Sequence, residues 1–151
     1  MKNIFFIILF NLMITPCIFA QGNKTDDKQR KEIFSLIDNY SQARENKDTV
    51  LLKSILTTDV DQLVSSGEWR IGFKGSMNGM LRSSESNPGS RKLLIEKIRF
   101  INSGSAIVDA RYEIQNPDGT SRKMWSTFVV VSIKNIWKIT AIRNMLPTGQ
   151  P

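Results

Sequence analysis

The chain has no histidine, and its single cysteine, Cys17, falls within the first twenty residues. Without histidine there is no imidazole general base, no Ser-His-Asp triad and no Cys/His zinc site. If the first twenty residues are removed in processing, disulfides and thiol nucleophiles go with them. No GxGxxG run or phosphate-cradling loop occurs either, so neither a cofactor nor a metal is expected. Any reaction would have to rest on Asp, Glu, Tyr, Lys or Arg.

Long apolar runs are almost as scarce. The one at the start, Ile4 to Met13, follows Lys2 and precedes Pro16, and Ala20 stands before polar Gln21. This is the pattern of a secretory signal peptide over residues 1–20, and it predicts export to the periplasm or the medium. Ile18 stands where the cleavage motif usually has a small residue. Cys17 raises a lipid-modified alternative, against which Pro16 stands at the position that needs a small residue. The run is too short to remain as a spanning helix, and no later stretch approaches the roughly 20 apolar residues that spanning requires, so no membrane association is expected after cleavage.

Removing 20 of the 151 residues leaves 131, a length for one domain with an adequate core. The first twenty residues carry one lysine and no acid, so the formal charge falls from +7 to +6. That charge is spread along the chain, which favours solubility and gives no stripe or patch for nucleic acid.

Residues 21–27 are polar and read as a flexible lead-in, residues 28–147 as the domain, and 148–151 as a tail. Ile33, Phe34, Ile37, Tyr40 and Ser41 recur at helical spacing and predict an amphipathic helix from Lys28 to about Asn46. Asp48 is placed to cap a second helix whose apolar face is Leu51, Leu52, Ile55 and Leu56. Short strands are expected at Asp61 to Ser65 and Glu68 to Lys74, around a Ser66-Gly67 turn. Gly75 then ends the second strand, and Ser76 is placed to cap a third helix carrying Met77, Met80 and Leu81.

Asn87, Pro88 and Gly89 mark a loop, and the remainder reads as β: Arg91 to Ile101, Ala106 to Gln115, Ser121 to Lys134, and Trp137 to Asn144. Asn116-Pro117-Asp118-Gly119 and Asn135 supply turns short enough to force antiparallel pairing. Alternation puts Ala106, Val108, Ala110, Tyr112 and Ile114 on the helix-facing side, with Asp109, Arg111 and Glu113 outward as cross-strand or interface pairs. In the third long strand Met124, Ser126, Phe128 and Val130 alternate with Trp125, Thr127, Val129, Val131 and Ile133, which predicts burial of both faces. An apolar outer stripe of that size points to a homodimer through the sheet.

Helices first, two short strands around a helix, then an antiparallel meander is an order that resembles the nuclear transport factor 2-like superfamily. The resemblance narrows at Asp59-Val60-Asp61-Gln62-Leu63-Val64-Ser65-Ser66-Gly67-Glu68-Trp69, the Gly72 and Gly75 pair, and Asp109-Ala110-Arg111-Tyr112-Glu113-Ile114. It continues through Met124-Trp125-Ser126-Thr127-Phe128-Val129-Val130-Val131 and Trp137-Lys138-Ile139-Thr140-Ala141-Ile142-Arg143-Asn144-Met145-Leu146-Pro147. These segments look like the SnoaL-like branch and are most similar to SgcJ/EcaC-type proteins.

The resemblance implies an α+β, cystatin-like fold: a cone-shaped curved antiparallel sheet against about three N-terminal helices, with a ligand-binding pocket at the open end. It does not select a function, because the superfamily holds isomerases, cyclases, dehydratases and non-catalytic modules. Matching Asp59 and Gly67 to the residues that frame the first strand of ketosteroid isomerase puts the catalytic carboxylate on Val64, so that base is absent. Histidine-dependent dehydratases are excluded by composition.

Arg143 is expected to share a core-directed face with Trp137, Ile139 and Ala141, and a buried guanidinium needs a carboxylate partner. Asp61 and Glu68 are the candidates, with Asp59 a third. Together they form the catalytic candidates Asp61, Glu68 and Arg143; a structural ion pair at the cone mouth is the other reading. Tyr40 and Tyr112 are apolar-facing phenols that either donate to a ligand or are satisfied within the core. Trp69, Met77, Met80, Met124 and Ser126 either line the pocket or belong to ordinary core. Three functions stand at this point: a binder of a small, largely apolar molecule, a non-catalytic homodimeric module, and a weak acid/base enzyme.

Overall fold

The computed structural model describes residues 24–86 and 89–147. The expected signal peptide and tail, residues 21–23 of the lead-in, and Asn87 and Pro88 lie outside the described residues. The elements are α1 (Lys24–Glu45), α2 (Thr49–Ile55), β1 (Leu56–Leu63), β2 (Trp69–Ile71), α3 (Gly72–Ser86), β3 (Ser90–Asn102), β4 (Ser105–Gln115), β5 (Ser121–Ile133) and β6 (Ile136–Met145). The described residues have the α+β fold expected from the resemblance: three helices against one curved six-stranded sheet of order β2-β1-β6-β5-β4-β3.

Local chemistry accounts for most boundaries. Asp26 and Asp27 sit in the first turn of α1, where carboxylates complement the helix dipole, so residues 24–27 are helical rather than a lead-in. Asp48 caps α2 by accepting from the Leu51 amide at 2.9 Å. Gly72 takes a positive φ of 69°, which ends β2 and starts α3 four residues before Ser76. Ser76 is therefore a buried residue inside the helix, not its cap. Lys134 and Asn135 both have positive φ, the geometry of a two-residue hairpin turn, and join β5 to β6.

All neighbours in the meander pair antiparallel, as their short connections require. β1, however, lies parallel to β6. That closure brings the first strand of the chain beside the last and places Asp61 and Gln62 next to Ala141 and Ile142.

The inward face of the sheet and the helices enclose a main core that includes Ile33, Ile37, Tyr40, Val60, Met80, Val108, Phe128, Val130, Ile139 and Ile142. Tyr40 meets Phe128 edge-on, ring centres 5.3 Å apart. Tyr112, Ile114 and Met124 form a second, smaller buried cluster, with Leu93 packed against both it and the main core.

A bulge in β6 reverses one expectation. Val129 pairs with Ala141 but Val130 pairs with Ile139, so Thr140 is the extra residue. Trp137 and Ile139 face the core, then the alternation changes phase: Ile142 faces inward, and Arg143 stands on the opposite face from Trp137 and Ile139. The expectation that β5 is buried on both sides is also corrected. Its inward residues are buried, whereas Trp125 is 39% exposed and Val129 and Val131 are only half-buried, because none of the described residues covers the outer face.

Candidate functional site

Between the two apolar clusters lies a layer of buried polar side chains. Arg44, on the last turn of α1, is 8% exposed and points between two phenols, its Cζ 5.8 Å from the Tyr40 ring centre and 5.5 Å from that of Tyr112. Helical spacing puts it there, since Ile33, Ile37, Tyr40 and Arg44 fall on one face of α1. Tyr40 belongs to the main core and Tyr112 to the smaller cluster, so the guanidinium bridges the two.

Among the described residues no carboxylate forms an ion pair with this cation. Burial works against its charge, but the two phenols, Tyr40 foremost, more than offset this and hold its pKa above the ordinary arginine value. Burial likewise pushes the Tyr40 phenol up, against the pull of Arg44, so both Tyr40 and Arg44 are protonated at neutral pH. The guanidinium is close enough to both phenols to act on them, yet among the described residues neither its Nε nor the Tyr112 hydroxyl has a partner in full hydrogen-bonding geometry. Such unmet buried groups cost about 1–3 kcal/mol each, more when charged.

The layer continues toward β1 and β2. Gln62 is buried and accepts from Arg70 Nη1 at 3.3 Å. Arg70 reaches it by lying across Gly79 of α3, where a Cβ would stand 2.2 Å from the Arg70 Nε. On β5 the buried Ser126 donates to Asn144 at 2.8 Å. Arg70 is also the link to the outside, because it lines a cleft of about 330 Å³ with Ser65, Glu68, Arg82 and Arg122. Glu68 accepts from Arg70 at 3.3 Å and from Arg82 at 3.0 Å, and the Arg70 bond holds its carboxyl below the usual range. A cleft of about 520 Å³ lies by the β5–β6 turn, lined in part by Glu32, Asn39, Asn135 and Ile136; none of its lining residues carries an unmet buried group.

The residues singled out in the sequence are thus divided. Tyr40, Met80, Tyr112, Met124 and Ser126 are buried on the inward side, and Met77 is half-buried there. Glu68 stands at the cleft. Asp61, Trp69 and Arg143 share the outer face, where Arg143 Nη1 donates to Asp61 at 2.7 Å and its guanidinium lies 4.7 Å from the Trp69 ring centre. The expected Arg143–Asp61 pair therefore exists but belongs to the outer face, because the bulge at Thr140 turns Arg143 outward. Asp59 is exposed and not its partner. Asp109 accepts from Thr127, and Arg111 pairs with Glu96, so two of the outward charges of β4 form cross-strand contacts.

Arg44, Gln62, Arg70 and Asn144 were not singled out. For Arg44 the signal was present, as it continues the apolar stripe of α1 by one further step. For Arg70 there was none, since β2 has only three residues and no alternation to read.

No protein-family model matches the chain, and no curated protein matches it. Solved structures do. A candidate scytalone dehydratase from Novosphingobium aromaticivorans DSM 12444 matches with a TM-score of 0.70 at 14% identity, over 85% of this chain and 98% of that one. A nuclear transport factor 2-like protein of unknown function from Shewanella oneidensis MR-1 matches at 0.66 and 17% identity, over 78% and 98%. A domain of unknown function with a cystatin-like fold from Nostoc punctiforme PCC 73102 matches at 0.70 and 16% identity, over 78% and 76%. The fold is that of nuclear transport factor 2-like, cystatin-like proteins.

Proposed function

We propose that the chain is an exported domain that binds a small, largely apolar molecule at the end of the sheet where the second apolar cluster, the polar layer and the Arg70 cleft meet. The observation that carries this reading is the pair of unmet buried groups, Arg44 Nε and the Tyr112 hydroxyl, beside Leu93, Ile114 and Met124. Buried polar atoms are normally satisfied, and a few convergent polar groups against an apolar wall is the make-up of a ligand site. Acid/base chemistry has less support. Asp61 and Arg143 are on the other face of the sheet, and Glu68 is held ionised by its arginines. Native mass spectrometry of protein purified from its own host tests the reading: a retained small molecule is expected, and a bare chain under gentle conditions contradicts it. The mass of the same material should also show a chain beginning at or near Gln21, as export implies.

A second reading concerns the outer face, where Trp69, Ile71, Trp125 and Met145 are exposed and Trp125 and Met145 flank a groove of about 340 Å³. An apolar sheet face interspersed with charges of both signs, Arg143, Asp61, Arg111 and Glu96, suits a second copy of itself. Sedimentation tests it, and a monomer at micromolar concentration contradicts it.

A further inference from the structure

The pocket reading leaves the chemistry of the ligand open, and the charges around the site narrow it. Arg44 places one positive charge in the interior, and none of the described carboxylates meets it. Around it are phenols rather than acids. Tyr40 and Tyr112 both lie beside the guanidinium, and the Tyr112 hydroxyl has no hydrogen-bond partner among the described residues. A planar fork of N–H donors with a free O–H beside it matches the two oxygens of a carboxylate. The residues that line the cleft point the same way: Arg70, Arg82 and Arg122 stand there against the single acid Glu68, so the approach attracts anions.

We infer that the ligand is a small monoanion with an apolar body, whose carboxylate is received by the Arg44 guanidinium and the Tyr112 hydroxyl. This rests on the pocket reading above and adds the charge of the ligand to it. The buried Arg70 and Arg91 side chains already face Glu68 and Glu45, which leaves the Arg44 charge to be balanced and favours a monocarboxylate over a phosphate dianion. Leu93, Ile114 and Met124, packed around Tyr112, provide the wall for the apolar body. The Met124 thioether can adapt to its shape.

The test is calorimetric titration of the full folded protein with hydrocinnamate and octanoate, each beside its neutral primary amide. The carboxylates should bind at least about tenfold more tightly than the amides, because charge-assisted hydrogen bonds are the stronger ones. Arg44→Met should erase that preference. Should Arg44→Met fail to fold, Tyr112→Phe carries the test, since it removes only a hydroxyl that has no hydrogen-bond partner among the described residues. It should leave the thermal midpoint unchanged or raised, and weaken the carboxylates several-fold more than the amides, because the bond to a charged acceptor is the stronger one. Equal binding of acid and amide overturns the inference while leaving the pocket reading intact. An undiminished carboxylate preference in folded Arg44→Met or Tyr112→Phe overturns it too. If neither acids nor amides bind at millimolar concentration, the carboxylate assignment falls, and the retained-molecule experiment decides the pocket separately.

Discussion

Arg143 and Asp61 meet at 2.7 Å on the outer face of the sheet, joined by strands that lie far apart in sequence but parallel in space. Their side chains are 32% and 33% exposed, so water screens whichever partner is left alone. Arg143→Met should therefore cost less than about 1 kcal/mol in urea unfolding, the range of a solvated pair. It should leave ligand binding unchanged. A loss of about 3–5 kcal/mol would mark the pair as a buried structural one instead.

The same two residues show how much was legible in the sequence. Helix faces, turns and the strand meander follow from periodicity and from Asn, Gly and Pro placement, and the need of Arg143 for a carboxylate narrowed its partner to Asp61, Glu68 or Asp59, of which it meets Asp61. The face of Arg143 did not follow. Reading alternation forward from Trp137 assumes an unbroken strand, and a single bulged residue, Thr140, inverts everything after it. The parallel pairing of β1 with β6 was equally hidden, since no local signal joins segments some eighty residues apart. Of the site, Tyr40, Tyr112 and Met124 were legible as inward-facing. Arg44 was passed over because a charged residue at the end of an apolar stripe ordinarily reaches water, and here it is the second apolar cluster that covers it.

Gly79 should tolerate no side chain without disturbing Arg70. An added methyl lands 2.2 Å from the Arg70 Nε, which must then leave Gln62. Helix propensity favours alanine by about 1 kcal/mol, but a stranded buried amide and a lost hydrogen bond to a charged group outweigh that. Gly79→Ala is expected to lose about 1–2 kcal/mol in urea unfolding. A gain in stability would show that Arg70 is not held there.

Alkaline pH should weaken the fold through Tyr40. Its pKa is raised by burial, so above the ordinary tyrosine value of 10.0 the folded chain retains a proton that the unfolded chain has released. The stabilisation is thus complete below that pH and is lost as pH rises through the folded value. Thermal midpoints should fall more steeply above that point in the wild type than in Tyr40→Phe. Parallel curves would show that Tyr40 does not titrate with unfolding.

The outer face gives a prediction about assembly. Val129 sits at the centre of the sheet beside Ala141, on the face that bears Trp125 and Met145. Val129→Lys should convert a dimer to a monomer in sedimentation velocity without lowering helix or sheet content. A wild type that is already monomeric would remove the second reading.

The location of the ligand is the central claim, and methionine methyl groups report on it directly. Met80 and Met124 are buried on the inward side, Met124 against Tyr112, whereas Met145 is exposed on the outer face. In protein labelled at the methionine methyls, titration with hydrocinnamate should shift the Met124 resonance most, with Met80 following, and leave Met145 in place. A shift confined to Met145, or none at saturating probe, would contradict the account.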